Sequence, residues 1–306
     1  MRFEQLRFLA QVVDSGFSIS RAAQTLRISQ PAVSKQIQLL EKELKVEILQ
    51  RRDGRIVGLT GPGQSVLSIA RRMLNDAVNL HRVGDEFAHA ETGRLTFATT
   101  HINARYVLLR VIERFRHRYP NVQLILRQGT PREIIELVAS AQADIGVTST
   151  PPEGARGLIT LPSYVLERGL IAPAGHPLMS IRALTLRDIA KYPLITLDRA
   201  FAGGAAVLDP FAKRGIELTV VMTATDADVI KAYVELGLGI TVLPQVVFDP
   251  LRDRQLNARD VSHLFAPTLA VTCIHPDTYL RGYVYDLIEM IAPKWTRDAV
   301  DAKLKS

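Results

Sequence analysis

Residues 18–44 read SISRAAQTLRISQPAVSKQIQLLEKEL, and their apolar spacing predicts two short helices around a tight turn. In the first helix Ala22, Ala23 and Leu26 share one face, and the small Ala23 lets a second helix approach closely. Arg27, Ile28 and Ser29 form the turn. The second helix opens on Ser29 or Gln30 and carries Pro31 in its first turn, where a missing N–H costs little. Val33, Ile37, Leu40 and Leu44 continue it as an apolar ladder, while Gln30, Ser34, Lys35 and Gln38 occupy the other face. Glutamine and lysine suit base edges in a major groove, and a serine at a helix N-terminus suits a phosphate, so the stretch implies a DNA-binding helix-turn-helix.

An ordinary helical hairpin with a solvated face would share this spacing, but the flanking sequence argues against it. Residues 3–15 predict a preceding amphipathic helix with Leu6, Ala10 and Val13 on one face. Residues 48–60 hold a Gly-centred turn, Arg51-Arg52-Asp53-Gly54-Arg55, between apolar residues, which together make the pattern a winged helix-turn-helix. Charge agrees with a double-stranded DNA partner. Residues 1–72 contain twelve Lys/Arg and six Asp/Glu, so +6 of the formal +7 lies there. Such asymmetry supplies the sequence-independent phosphate attraction, with Arg51, Arg52 and Arg55 on the wing as its best carriers.

At 306 residues the chain fits two or three domains. The N-terminus enters a helix without an apolar leader, and no uncharged apolar run approaches membrane-spanning length, so a cytoplasmic protein without a membrane partner is expected. The single cysteine, Cys273, excludes an intramolecular disulfide and a cysteine-cluster metal site; within the apolar run 269–274 it reads as a buried strand residue.

Beyond Pro62 and Gly63 a long helix carries Val66, Ala70, Met73, Ala77 and Leu80, a seam that suits dimerisation, although packing within one domain would produce it too. From Gly93 the pattern turns to βαβαβ: strands at 95–99, 122–127 and 144–148, helices at 104–119 and 131–141, hence an open parallel sheet. The alternation recurs with strands at 169–172, 194–197, 219–222, 239–243 and 269–274 and helices at 204–214, 226–236 and 279–291. Two α/β lobes, crossing near 162–168 and 266–269, would enclose a ligand cleft. The expected organisation is a mixed α+β multi-domain chain: a winged helix-turn-helix (1–60), a linker helix (61–90) and an effector half (91–306). Within the effector half, lobe I would be 91–163 and 268–306, and lobe II 164–267.

The whole chain resembles a LysR-type transcriptional regulator. Phe8, Ala22, Ala23, Leu26, the run Ser29-Gln30-Pro31-Ala32-Val33-Ser34, Ile37, Leu40 and Glu41 carry the match. The effector half is similar to the CysB and Cbl subgroup through Thr99-Thr100-His101, Ala104-Arg105-Tyr106, Gln128-Gly129-Thr130-Pro131, the run 223–231 and Leu280 to Asp286. This resemblance implies a periplasmic-binding-protein-like effector domain, homodimers assembling to a homotetramer, contact with RNA polymerase, and control of sulfur assimilation or sulfonate use. It implies an anionic effector such as sulfate, an acetylserine, adenosine phosphosulfate or a sulfonate. The effector residues it implies are Thr99, Thr100, His101, Ile102, Asn103, Gln128, Gly129, Thr130, Ser149, Phe201, Ala202, Gly203 and Thr225. The subgroup pattern has Thr where this chain has Ile102 and Ala202, and Gln where it has Asn103. Exchanging hydroxyls for apolar groups favours an organosulfur ligand over inorganic sulfate.

Without the resemblance, Thr99, Thr100 and Ser149 would read as capping or strand-end residues, and Asp226 or Thr225 as a helix cap. No residue near His101 in sequence has metal-ligand spacing, and no cofactor is expected. Two lobes with a cleft also describe many enzymes, but the chain lacks a Gly-x-Ser-x-Gly elbow, a Walker loop, a His-Glu-x-x-His helix and a base paired with Cys273, so an enzyme is not expected.

Overall fold

The computed structural model describes residues 1–52, 54–88, 92–149, 157–199 and 201–305. Asp53 of the expected wing and residues 89–91 at the expected linker junction lie outside the described residues. The chain divides into two compact units, Met1–Asp85 with Asp277–Tyr279, and Glu86–Pro276 with Leu280–Ser306.

The first unit contains α1 (Phe3–Asp14), α2 (Ile19–Leu26), α3 (Gln30–Leu44), β1 (Leu49–Arg52), β2 (Arg55–Leu59) and all but the end of α4 (Gly61–Ala88). Leu6, Leu9 and Val12 of α1 meet Ala22 and Ala23 of α2 and Val33, Ile37 and Leu40 of α3 in one buried cluster. The Ser18 hydroxyl accepts the Arg21 amide to start α2, and Arg27, in the left-handed region at φ 56°, ends it. Leu44 is 37% exposed rather than a buried rung, because Lys45 turns left-handed there and stops α3. β1 and β2 pair antiparallel as the wing. A Cβ at Gly63 would lie 2.1 Å from the Ile48 carbonyl oxygen, so only glycine lets α4 start against the wing. The apolar seam of α4 is divided: Val66, Ala70 and Met73, with Leu67 and Leu74, pack into the core of their own unit, whereas Ile69, Val78 and Leu80 are exposed.

In the second unit the first lobe is a five-stranded sheet flanked by helices. Its strands are β3 (Gly93–Thr99), β4 (Val122–Gln128), β5 (Ile145–Ser149), β6 (Ile159–Leu166) and the late β12 (Thr268–Ile274), in the order β4-β3-β5-β12-β6. β3 runs parallel to β4 and β5, but β12 is antiparallel to both its neighbours. The sheet is therefore mixed rather than purely parallel, because β12 returns from the other lobe. The helix expected at 104–119 is interrupted. A π-helical turn, Asn103–Val107, precedes α5 (Leu109–Arg118). Phe97, Leu108, Phe115, Tyr283, Leu287 and Ile288 centre the core between this sheet, α5 and α10 (Gly282–Ile291), while α6 (Pro131–Ala139) covers β5 and α11 (Arg297–Leu304) closes the chain.

The second lobe contains β7 (Arg168–Pro173), α7 (Leu186–Ile189), β8 (Leu194–Leu197), α8 (Ala202–Ala212), β9 (Val220–Ala224), α9 (Ala227–Glu235), β10 (Thr241–Pro244) and β11 (Leu256–Asp260). β10 and β11 flank β7 antiparallel, β8 pairs parallel with β9, and a bridge from Leu194 to Ile240 links the two groups. Only Glu167 separates β6 from β7, and the return crossover enters β12 at Thr268, which pairs with Leu166. No helix among the described residues is long and apolar enough to cross a membrane.

Candidate functional sites: a helix-turn-helix face and an interlobe cleft

On α3 the side chains of Gln30, Lys35 and Gln38 are exposed and Ser34 is half-exposed, with Ser29 and Pro31 exposed at the helix start. Ser29 holds the N-cap position without a side-chain hydrogen bond, which leaves its hydroxyl available. Arg52 and Arg55 face one another across the hairpin and are exposed. Arg51 differs: its guanidinium pairs with Glu41 at 2.9 Å. The Glu41 carboxylate also accepts the Ile48 and Leu49 amides at 2.9 and 3.1 Å, so Glu41 clamps the wing to α3. Burial alone would raise its pKa, but the hydrogen bonds from Arg51, Leu49 and Ile48 outweigh burial and hold the carboxyl below its ordinary value.

The cleft between the lobes holds a cavity of about 40 Å3. Of the expected effector residues it brings together Thr100, His101, Ile102, Asn103, Ser149, Phe201, Gly203 and Thr225. Gln128, Gly129 and Thr130 line an adjoining chamber. Thr99 is turned away: fully buried, it donates its hydroxyl to the Val147 carbonyl at 2.7 Å, a strand-end role. Ala202 begins α8, half-buried beside the lining residues Phe201 and Gly203, and is not itself a lining side chain.

The π-helical turn sets the wall formed by residues 100–103. It closes with the Leu108 amide on the Asn103 carbonyl at 2.8 Å, a five-residue step, and Asn103 becomes buried. Its amide nitrogen donates to Val147 at 3.3 Å, while its Oδ1 has no partner among the described residues. Ile102 leaves the first lobe's core and joins Ile171, Ile195 and Leu197 of the second, an apolar contact across the cleft.

Sequence reasoning missed the most strongly charged lining residue, Arg168. This first residue of β7 is fully buried. Its Nη2 donates to the Thr268 hydroxyl and its Nε to the Ala266 carbonyl at 3.5 Å, whereas Nη1 is buried with no partner among the described residues. Burial lowers its pKa to about 10, so it remains charged at neutral pH. A Cβ at Gly203 would sit 3.5 Å from Nη1, which places the positive end of α8 beside the same guanidinium. Leu166, Leu197, Phe201 and Pro244 supply apolar walls. A buried, unpaired cation among hydroxyls and apolar groups is suited to an anion with a hydrocarbon part. No local signal marks Arg168, since Thr268, its partner, is 100 residues away.

At the cleft mouth His101 meets two carboxylates that are distant in sequence: Nδ1 lies 3.1 Å from Asp226 and Nε2 3.4 Å from Asp228. The three could hold a metal ion, a juxtaposition that linear spacing did not reveal. Asp228, however, already accepts the Tyr106 hydroxyl and pairs with Arg105 and Lys231, each at 3.5 Å. Burial would raise its carboxyl, but these partners hold it below the ordinary value. Asp226 caps α9, accepting the Asp228 amide at 2.7 Å. Cys273 is buried in β12, and burial pushes its thiol up to about 12, as befits an inert packing residue.

Residues 3–64 match the family model "Bacterial regulatory helix-turn-helix protein, lysR family", and residues 88–296 match "LysR substrate binding domain". The chain is 43% identical to the HTH-type transcriptional regulator SsuR of Burkholderia cenocepacia over 293 residues, covering 96% of this chain and 95% of that one. It is 41% identical over 305 residues to the regulator CysB of the same organism, covering 100% and 97%. Among solved structures it is similar to the cofactor-binding domain of the Cbl transcriptional regulator, at 36% identity and a TM-score of 0.66, covering 70% of this chain and 93% of that one.

Proposed function

The chain belongs to the LysR family of DNA-binding transcriptional regulators, and from that premise we propose that it binds promoter DNA under the control of a small anionic sulfur compound held in the interlobe cleft. The observation that carries the effector reading is Arg168, a fully buried guanidinium in the lining of the cleft whose Nη1 has no partner among the described residues. An unpaired buried charge is costly, and an anion that pairs with it only when the lobes close gains affinity for the closed state alone. Thr100, Asn103 and Ser149 add hydrogen-bonding groups, and Ile102, Leu166 and Phe201 add apolar surface that favours an organosulfur anion over inorganic sulfate. In this reading the 30–44 helix reads base edges, Arg52 and Arg55 hold backbone, and ligand closure alters the geometry of a dimer-of-dimers on DNA and its contact with RNA polymerase. The setting is the cytoplasm, and the regulated genes serve sulfur assimilation or organosulfur use.

Thermal unfolding of the full chain with sulfate, thiosulfate, O-acetylserine, N-acetylserine, adenosine phosphosulfate and alkyl and aryl sulfonates tests this. A ligand at about 100 times its Kd adds about 2.7 kcal/mol and gives a readable shift in Tm. A shift with a sulfur compound, larger for sulfonates than for sulfate, is expected. A flat sulfur panel beside a shift with simple carboxylates would replace the reading with a regulator of carboxylate catabolism.

A further inference from the structure

The cleft continues outward from Arg168. A second chamber of about 280 Å3 shares His101, Phe201 and Thr225 with the inner one, so the two are contiguous. Its lining carries two carboxylates, Glu133 and Asp226. Each commits one oxygen to the backbone: Glu133 Oε2 accepts the Thr130 amide at 2.7 Å, and Asp226 Oδ1 accepts the Asp228 and Val229 amides at 2.7 and 3.2 Å. Glu133 Oε1 remains without a hydrogen bond among the described residues, and Asp226 Oδ2 lies 3.1 Å from His101 Nδ1, on the chamber lining that both residues share. Lys231 and Arg105 turn to Asp228, and Lys231 also to Asp253 at 2.9 Å, so neither lines the outer chamber.

The continuous cleft is therefore polarised along its length. One chamber holds a buried cation with an N–H unpartnered among the described residues, the other holds two carboxylates, and His101, Phe201 and Thr225 line both. We propose that the effector is a dipolar molecule: an anionic sulfonate or sulfate-like head on Arg168 and a tail ending in an ammonium group directed at Glu133 and Asp226. The class this describes is an ω-aminoalkanesulfonate. A tail ending in a second anion would meet like charge, and a plain alkyl tail would leave both carboxylates unused. The proposal rests on the effector-cleft reading above and adds the identity of the tail.

Isothermal titration of the full chain against length-matched sulfonates tests it. Propane-1-sulfonate, 2-aminoethanesulfonate and sulfoacetate make one set, and butane-1-sulfonate, 3-aminopropanesulfonate and 3-sulfopropanoate the next. Within at least one set the ammonium-tailed ligand should bind about tenfold tighter than the methyl-tailed one, as expected for a gained charge-assisted hydrogen bond, and the carboxylate-tailed one weakest. The double variant Glu133→Gln with Asp226→Asn keeps an acceptor oxygen at both helix caps. It should lose the ammonium preference and leave the affinity for the alkylsulfonates unchanged. Equal affinity for the three tails, or tighter binding of the carboxylate tail, overturns the dipolar ligand while leaving the anion cleft intact. Failure of every sulfonate and of sulfate to bind overturns both readings.

Discussion

Arg168 concentrates the chemistry of the cleft in one side chain. It is held by two acceptors on the return crossover, which leaves Nη1 for a ligand. Arg168→Met removes the charge but keeps much of the volume, so the variant should lose the Tm shift produced by any anionic ligand. Its unliganded Tm should stay the same or rise, because a buried unpaired charge has been deleted. On the proposed DNA face the residues divide by what they would touch. Gln30→Ala should weaken binding and relax sequence preference, whereas Arg52→Ala should weaken all sequences alike and lower the slope of log K against log salt by about one. Electrophoretic mobility shifts over a range of salt distinguish the two, and a change of sequence preference in Arg52→Ala would contradict the division.

Among elements, the wing depends on Glu41 more than on its own two-stranded pairing. The Glu41 carboxyl has its pKa depressed in the folded state, so its contribution is present above the ordinary glutamate value of about 4.3 and is lost as pH falls through the folded value. Glu41→Gln should therefore flatten the acid limb of the stability profile, read by urea unfolding monitored between neutral and acid pH, and should loosen the wing at neutral pH. The elements that sequence made legible are those with a repeat or a cap. The 30–44 helix combined an apolar ladder with Pro31, and the 131–139 helix combined Pro131 with the Thr130 and Glu133 capping box. The elements it concealed lack such signals. β6 contains Pro162, tolerated because β6 is an edge strand, and β11 is an edge strand of mostly polar residues. The π-helical turn at Asn103–Val107 has no periodicity to find, since it inserts one residue into a helical pattern. For the cleft, Thr100, Asn103 and Ser149 lie at strand ends or a helix start and were readable through resemblance. Arg168 and Thr268 meet only through the crossover topology.

For the whole molecule, assembly and motion follow from what the fold leaves free. Half of the α4 seam is consumed inside its own unit, so a dimer built on this helix would use Ile69, Val78 and Leu80, of which Leu80 is 76% exposed. Ile69→Glu with Leu80→Glu should shift the chain to a smaller species in size-exclusion chromatography with light scattering while leaving the far-ultraviolet circular dichroism unchanged. An unaltered mass would rule out assembly through this seam. The two crossovers lie side by side, with Leu166 paired to Thr268, the Val261 amide on the Arg168 carbonyl at 3.0 Å, and one residue, Glu167, between β6 and β7. Two short straps fastened together behave like a door hinge: they permit rotation about the line that joins them and resist sliding and twisting. The second lobe is thus a leaf that turns about that line, and the bonds from His101, Arg105 and Tyr106 to Asp226 and Asp228 act as its latch.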